Sequence, residues 1–377
     1  MRKTTQAPWK VGVLFSQTGC TADIERTQLH GTLMAIEEIN AAGGVRGREI
    51  RPIVYDPGAG SVPYAYLAKK LIVEDGATSI FGCYTSASRK AIIPVMERLN
   101  GLLWYPTPYE GFEYSPNVIY TGAVPNQNSS ELCRFMMQTY GPRFYLIGSD
   151  YVYPRRSNRL VREFLAGAGG SVVGERYVGI RARRQDFTPI MRDIEDVGAD
   201  VIFSTVVGEG TSFLYQAYAD AGFDPTRMPI ASLTTTEAEI EAMGFDVGEA
   251  HITAACYFAG IESPSNTAFV NGFKKRFGEA STNACAEAAY FQVHLFARAL
   301  EKTNSLATDD LRPLVLGSTF DAPQGRVRIN PASGHTDLWT RIGRANRRGQ
   351  FTLLREVRTP VQADPFMICA EPAQLKA

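Results

Sequence analysis

A chain of 377 residues is long enough for two or three domains with sizeable cores, and 45% apolar with 21% charged residues excludes the disordered and fibrous classes. Lys plus Arg and Asp plus Glu both number 39, so no net field draws the chain to nucleic acid or to anionic lipid. No window reaches the ~18 consecutive apolar residues of a membrane helix, and neither a nucleic-acid nor a membrane partner is expected.

The first ten residues carry no apolar stretch before Val11, so no signal peptide is read there. A cytoplasmic location is expected, or a periplasmic one if a leader has been lost. Residues 11–15 then read as a buried strand. The segment 23–40 has apolar residues at helical spacing (Ile24, Leu29, Leu33, Ile36, Ile39) and stops at Gly43-Gly44. Strand 50–55, helix 64–74, strand 79–83, helix 86–99 and strand 102–105 follow. The alternation restarts with helix 128–140, strand 144–148, helix 157–167, strand 171–177 and helix 187–197. Strand 201–207, helix 211–221, strand 229–233, helix 235–243 and strand 252–257 complete it. Two successive βα-wound units predict an α/β fold of two parallel-sheet lobes with helices on both faces. Helices over 266–277 and 284–300 come next, and 325–329, 339–343 and 351–355 alternate as strands.

Open parallel sheets take ligands beyond the carboxyl ends of their strands. Hydroxyls and tyrosines dominate there: Ser16 to Gly19, Tyr84-Thr85-Ser86, Pro106-Thr107, Ser149 to Tyr153, Val207 to Gly210 and Thr234 to Glu237. The richest connection is Tyr105-Pro106-Thr107-Pro108-Tyr109-Glu110-Gly111-Phe112-Glu113-Tyr114-Ser115-Pro116-Asn117. Rings to exclude water and a few polar groups on a proline-braced loop suit a small uncharged ligand.

Catalytic signatures are missing. There is no GxxxxGK[ST] loop, no HExxH, no GxSxG and no SxxK, and Gly208-Glu209-Gly210 lacks the third glycine of a dinucleotide fingerprint. The four histidines lie far apart. Ser86 with Lys90 at i, i+4 reads as an N-cap and a solvated lysine rather than a nucleophile pair. Glu110 and Glu113 have no visible metal or base partner. The six cysteines (Cys20, Cys83, Cys133, Cys256, Cys285, Cys369) show no zinc spacing and fit a reducing compartment. Basic runs at 181–184 and 341–348 read as solvated faces. A non-enzyme without metal or cofactor is expected.

Eight segments carry a resemblance to a known family: 21–26, 82–84, 105–117, 125–128, 148–154, 203–208, 231–235 and 321–325. On these the chain resembles type I periplasmic-binding-protein-like receptors of the amide and urea branch. Within that branch it is most similar to the amide-sensing negative regulators of bacterial aliphatic amidase operons. The resemblance implies two hinged lobes joined by three crossings, residues 8–123 with 258–325 forming one lobe and 124–257 with 326–370 the other. It places Tyr84, Ser86, Tyr105 and Thr107 on one side of a ligand cleft and Tyr153, Val206 and Thr234 on the other. Ser86 and Thr107 are expected to donate to a ligand carbonyl. Thr234 stands where amino-acid receptors of the superfamily place an acid, which argues for a neutral ligand. Glu209 departs from the pattern, and would admit a cationic ligand if it faced the cleft. By resemblance, the partners are a small amide or urea-like ligand and an RNA-binding transcription antiterminator, in a homo-oligomer. The competing expectation is the substrate-binding protein of an ABC importer for urea, short amides or a related nitrogen compound.

Overall fold

The computed structural model describes residues 7–58, 60–278 and 281–368. The first unit runs β1 (Trp9–Leu14), α1 (Ala22–Ala41), β2 (Ile50–Tyr55), α2 (Ser61–Val73), β3 (Ser79–Gly82), α3 (Ser86–Arg98), β4 (Leu102–Tyr105) and β5 (Val118–Tyr120). Its five strands form one parallel sheet in the order β2-β1-β3-β4-β5. β3, β4 and β5 are buried at every position, as strands covered by helices on both faces must be.

The second unit contains α4 (Ser129–Thr139), β6 (Arg143–Ser149), α5 (Val152–Gly167), β7 (Ser171–Val178), α6 (Arg184–Val197) and β8 (Val201–Thr205). It continues with α7 (Glu209–Asp220), β9 (Ile230–Ser232), α8 (Glu237–Met243), α9 (Phe245–Gly248) and β10 (Ile252–Ala255). The chain then returns as α10 (Pro264–Phe277), α11 (Ala284–Thr303), α12 (Thr308–Val315) and a small antiparallel sheet of β11 (Thr319–Ala322), β12 (Gly325–Ile329) and β13 (Thr336–Asp337). β14 (Arg341–Ala345) and β15 (Phe351–Glu356) close the second sheet, whose order is β15-β14-β10-β9-β8-β6-β7. The fold is therefore the expected pair of α/β lobes.

Helix α11 lies along α1, and Asn283 caps its start by accepting from the N–H groups of Cys285 and Ala286 at 3.0 and 2.9 Å. That packing returns the chain to the first lobe. The expected lobe change at residue 326 does not occur there. Val327 and Ile329 of β12 are buried with Trp104, Phe291 and Phe296 of the first lobe, so the crossing falls between β13 and β14. The chain also returns after β15. Ala363 packs in the first lobe's core, and the Phe112 N–H donates to the Pro365 carbonyl at 2.7 Å. Residues 361–368 thus lie with the first lobe, not the second; 369 and 370, with Cys369, fall outside the described residues. Gln127 ties the crossings together. Its amide donates to the carbonyls of Thr336 and Val361, both at 2.9 Å, and its carbonyl accepts from Thr340 at 2.6 Å.

Candidate ligand cleft

The carboxyl ends of both sheets face each other across an enclosed cleft. The first lobe supplies Ile24, Tyr84, Ser86 and Thr107, and the second Tyr151, Tyr153, Val207, Leu233 and Thr234. The cavity is ≈ 40 Å³ (space open to the centre of a water molecule), several times what one water needs, of order 10–15 Å³. No charged side chain stands among its described lining residues.

Five of the seven expected contact residues meet here. Tyr105 and Val206 do not. Tyr105 is fully buried one layer behind Tyr84, to whose carbonyl its hydroxyl donates at 2.8 Å, and its ring lies under the Arg89 guanidinium. Val206 packs inward among Leu214 and Tyr215, while its successor Val207 faces the cleft. Sequence reasoning also missed the floor. It comes from the hinge segment Thr121 to Ala123 and from Ala284, Cys285 and Ala288 in the first turns of α11. Small residues at i, i+1 and i+4 beginning a helix were the available signal. Gly122 is needed there, because a Cβ would stand 2.1 Å from the Thr107 carbonyl carbon and oxygen.

The hydroxyl protons point inward, against expectation. Ser86 Oγ donates to Glu110 at 2.5 Å and Thr107 Oγ1 to the Cys83 carbonyl at 3.2 Å. Thr234 Oγ1 donates to the Val206 carbonyl at 2.8 Å. The oxygens of Ser86, Thr107 and Thr234 therefore offer lone pairs to the cavity. Tyr153 is the converse: only 4% exposed, its hydroxyl has no hydrogen-bond partner among the described residues, with Ser157 one helical turn on as its neighbour. The residue lines the cleft, and its hydroxyl proton is held by no bond of good geometry. Burial holds the Tyr84 and Tyr153 phenols protonated, far above their ordinary range.

Glu209 faces outward. Its carboxylate pairs with Arg183 at 3.0 Å, both side chains about half exposed, so it places no charge in the cavity. Its backbone does more, because the Glu209 N–H donates to the Cys20 carbonyl of the other lobe at 2.9 Å. That bond joins the two lobes directly. The loop carrying Cys20 is fixed by Glu25, which accepts from Thr21, Tyr64 and the Ser16 N–H at 2.6, 2.6 and 2.7 Å. Burial pushes the Glu25 carboxyl up to about 7, although these bonds oppose the shift.

Four of the five described cysteines are buried and none is paired. Burial raises the thiols of Cys83, Cys133, Cys256 and Cys285, so they act as small inert hydrophobes and carry no information about redox compartment. Among the described residues no helix is long and apolar enough to cross a membrane, and no cluster of His, Cys, Asp or Glu could hold a metal ion.

Two hinged α/β lobes around an enclosed cleft at their strand ends agree with the family comparison, in which residues 9–372 match the periplasmic binding protein domain model. The chain belongs to that family. Among curated relatives, it is 24% identical over 322 residues to the leucine-, isoleucine-, valine-, threonine- and alanine-binding protein of Pseudomonas aeruginosa, covering 84% of each chain. It is 25% identical over 277 residues to a Leu/Ile/Val-binding protein homologue of Brucella abortus, covering 71% of this chain and 70% of that one. Among solved structures, the ABC-transporter solute-binding protein of Rhodopseudomonas palustris HaA2 in complex with p-hydroxybenzoic acid superposes with a TM-score of 0.87 at 22% identity, covering 97% of this chain and 100% of that one. The solute-binding protein of R. palustris BisB5 in complex with 3,4-dihydroxybenzoic acid gives 0.84 at 22% identity, covering 94% and 98%. These relatives are substrate-binding proteins, not enzymes. They support the Leu/Ile/Val-binding-like family broadly, and not the amide-sensing branch of it.

Proposed function

We propose that this protein is the substrate-binding component of an ABC-type importer and takes a small, uncharged, polar solute of the short-amide or urea type. One observation carries the choice of ligand: the enclosed cleft has tyrosine walls and hydroxyl oxygens but no ionised lining side chain. An amino-acid zwitterion would bring two charges into it with no counter-charge at the wall, a costly burial. Thr234 supplies only a neutral oxygen where the ammonium would need a carboxylate. The kinship to transport proteins puts the importer first, and an importer component works in the periplasm, so the expected cytoplasmic regulator takes second place. Nothing in the cleft distinguishes a regulator that holds an RNA-binding antiterminator, since the same closure would serve it.

A thermal-shift panel of acetamide, propionamide, urea, guanidine, leucine and 4-hydroxybenzoate tests the ligand class. A ligand at about 100 times its Kd adds ~2.7 kcal/mol to stability. The amides or urea should raise the melting temperature and leucine should not. A response to leucine alone would refute the neutral-solute reading. Co-purification from the native bacterium separates the roles: a membrane permease as partner supports the importer, and an antiterminator released by amide supports the regulator.

A further inference from the structure

Behind Ser86 lies a buried ionic cluster that the ligand cleft does not itself contain. Arg89, with none of its surface exposed, sits between the rings of Tyr105 and Tyr109, its guanidinium carbon 4.8 and 4.3 Å from their centres. It pairs with Glu113 at 2.6 Å and with Glu110 at 3.3 Å, while Lys90 reaches Glu113 at 2.8 Å from the surface. Two carboxylates and two cations thereby balance. Ser86 bridges this cluster to the cleft, donating to Glu110 Oε2 at 2.5 Å and accepting from Arg89 Nη1 at 3.2 Å. A hydroxyl has one proton and two lone pairs. With the proton held by Glu110 and one lone pair by Arg89, only a lone pair is left for a ligand. Thr107 is in the same condition, since it donates to Cys83 and accepts from Gln28 Nε2 at 2.9 Å.

We infer that Glu110 is a positioning residue that fixes Ser86 as a hydrogen-bond acceptor, so that the cleft selects solutes presenting an N–H or O–H to Ser86 and Thr107 over same-shaped solutes presenting a carboxylate oxygen there. This deepens the proposed function and rests on the cleft being the ligand site. An amide turns its N–H groups to the two hydroxyl oxygens and leaves its carbonyl for the Tyr153 phenol. The corresponding carboxylate sets its second oxygen against lone pairs. Glu110 does not line the cleft itself and acts only through Ser86.

The test is calorimetry with two matched pairs, propionamide against propionate and benzamide against benzoate, at pH 7. The native protein should prefer the amide of a pair that fits by at least about tenfold, the size of one good hydrogen bond. Ser86→Ala and Glu110→Gln should each reduce that ratio to within about threefold, because a carboxamide at 110 can donate to Ser86 and release its proton. The double variant should show no further change, as for two residues acting through one contact. The ratio within a pair is unaffected by any loss of folded protein, so a purely structural role for Glu110 would not move it. A native preference for the carboxylate overturns the inference without any variant. So does an unchanged ratio in Glu110→Gln, or additive effects in the double variant. Failure of all four probes to bind the native protein would remove the cleft reading itself, a different outcome from binding without preference.

Discussion

Thr107 and Tyr153 line the same cavity, yet loss of the oxygen should have opposite consequences for the fold. Thr107→Val strips Gln28 Nε2 and the Cys83 carbonyl of a buried partner, so stability should fall by ~1–3 kcal/mol alongside affinity. Tyr153→Phe removes a hydroxyl that makes no bond of good geometry, with only Ser157 near it, so the urea midpoint should stay put or rise while affinity for a carbonyl-bearing ligand falls about tenfold. Urea denaturation paired with calorimetry on both variants checks this. A destabilised Tyr153→Phe would mean that its hydroxyl is already used in the fold. Which side chains face the cleft was only partly legible from residue type. Ser86, Thr107 and Thr234 follow strand ends and carry hydroxyls, so they stood out. Tyr105 and Val206 follow or end strands just as well, but side chains alternate, and one position decides between cleft and core. Where the hydroxyl protons go could not be read at all, because Glu110 and Cys83 are brought to Ser86 and Thr107 only by the folded loop.

At the scale of elements, closure depends on how the turn before α7 meets the loop after β1. Gly208 has φ +64° and ψ −149°, a conformation tolerated essentially only by glycine, and a Cβ there would stand 2.3 Å from the Cys20 carbonyl. Gly208→Ala should therefore oppose the closed state by ~1–3 kcal/mol, lowering ligand affinity about 5- to 150-fold. Small-angle scattering should show a variant that stays extended at ligand concentrations that compact the native protein. Equal compaction and equal affinity would show that the Cys20 to Glu209 bond is incidental. The elements themselves were largely legible, since buried apolar runs alternate with helical periods through both lobes. β5 was not, because Val118, Ile119 and Tyr120 are three consecutive buried residues with no alternation, directly after an irregular loop. The sequence of β12 reads as a strand, but its place in the first lobe is not legible from it. Its alternation reports one buried face, and nothing local says which core that face will meet.

Across the whole molecule, the distribution of buried acids sets a pH dependence whose sign can be worked out. Glu237 and Glu287 are buried, and burial pushes both up to about 8, although Glu237 accepts from the Ala259 N–H and Glu287 accepts from Gln324 with Arg341 nearby. The same carboxyls titrate near 4.3 in the unfolded chain. Between those values the folded state keeps protons that the unfolded state has lost, so stability falls as pH rises, by up to about 1.4 kcal/mol per pH unit for each group. Three histidines, His251 and His335 buried and His294 partly so, act the other way at lower pH. Burial holds His251 down to about 3 and His294 and His335 down to about 4, so stability rises with pH until the unfolded imidazoles stop binding protons near 6.5. Below pH ~6.5 the two sets oppose each other, and from 6.5 to 8 the carboxyls act alone. The unfolding free energy should therefore decline across that window. Glu25, held up to about 7 in the same way, adds to the fall below that pH, so Glu287→Gln, which mimics the protonated acid, should remove roughly half of the slope above pH ~7. Urea denaturation at half-unit pH steps measures both. A flat or rising profile from 6.5 to 8 in the native protein would mean that Glu237 and Glu287 are ionised inside the fold, and that the surroundings of Gln324 and Ala259 stabilise their charge better than burial penalises it.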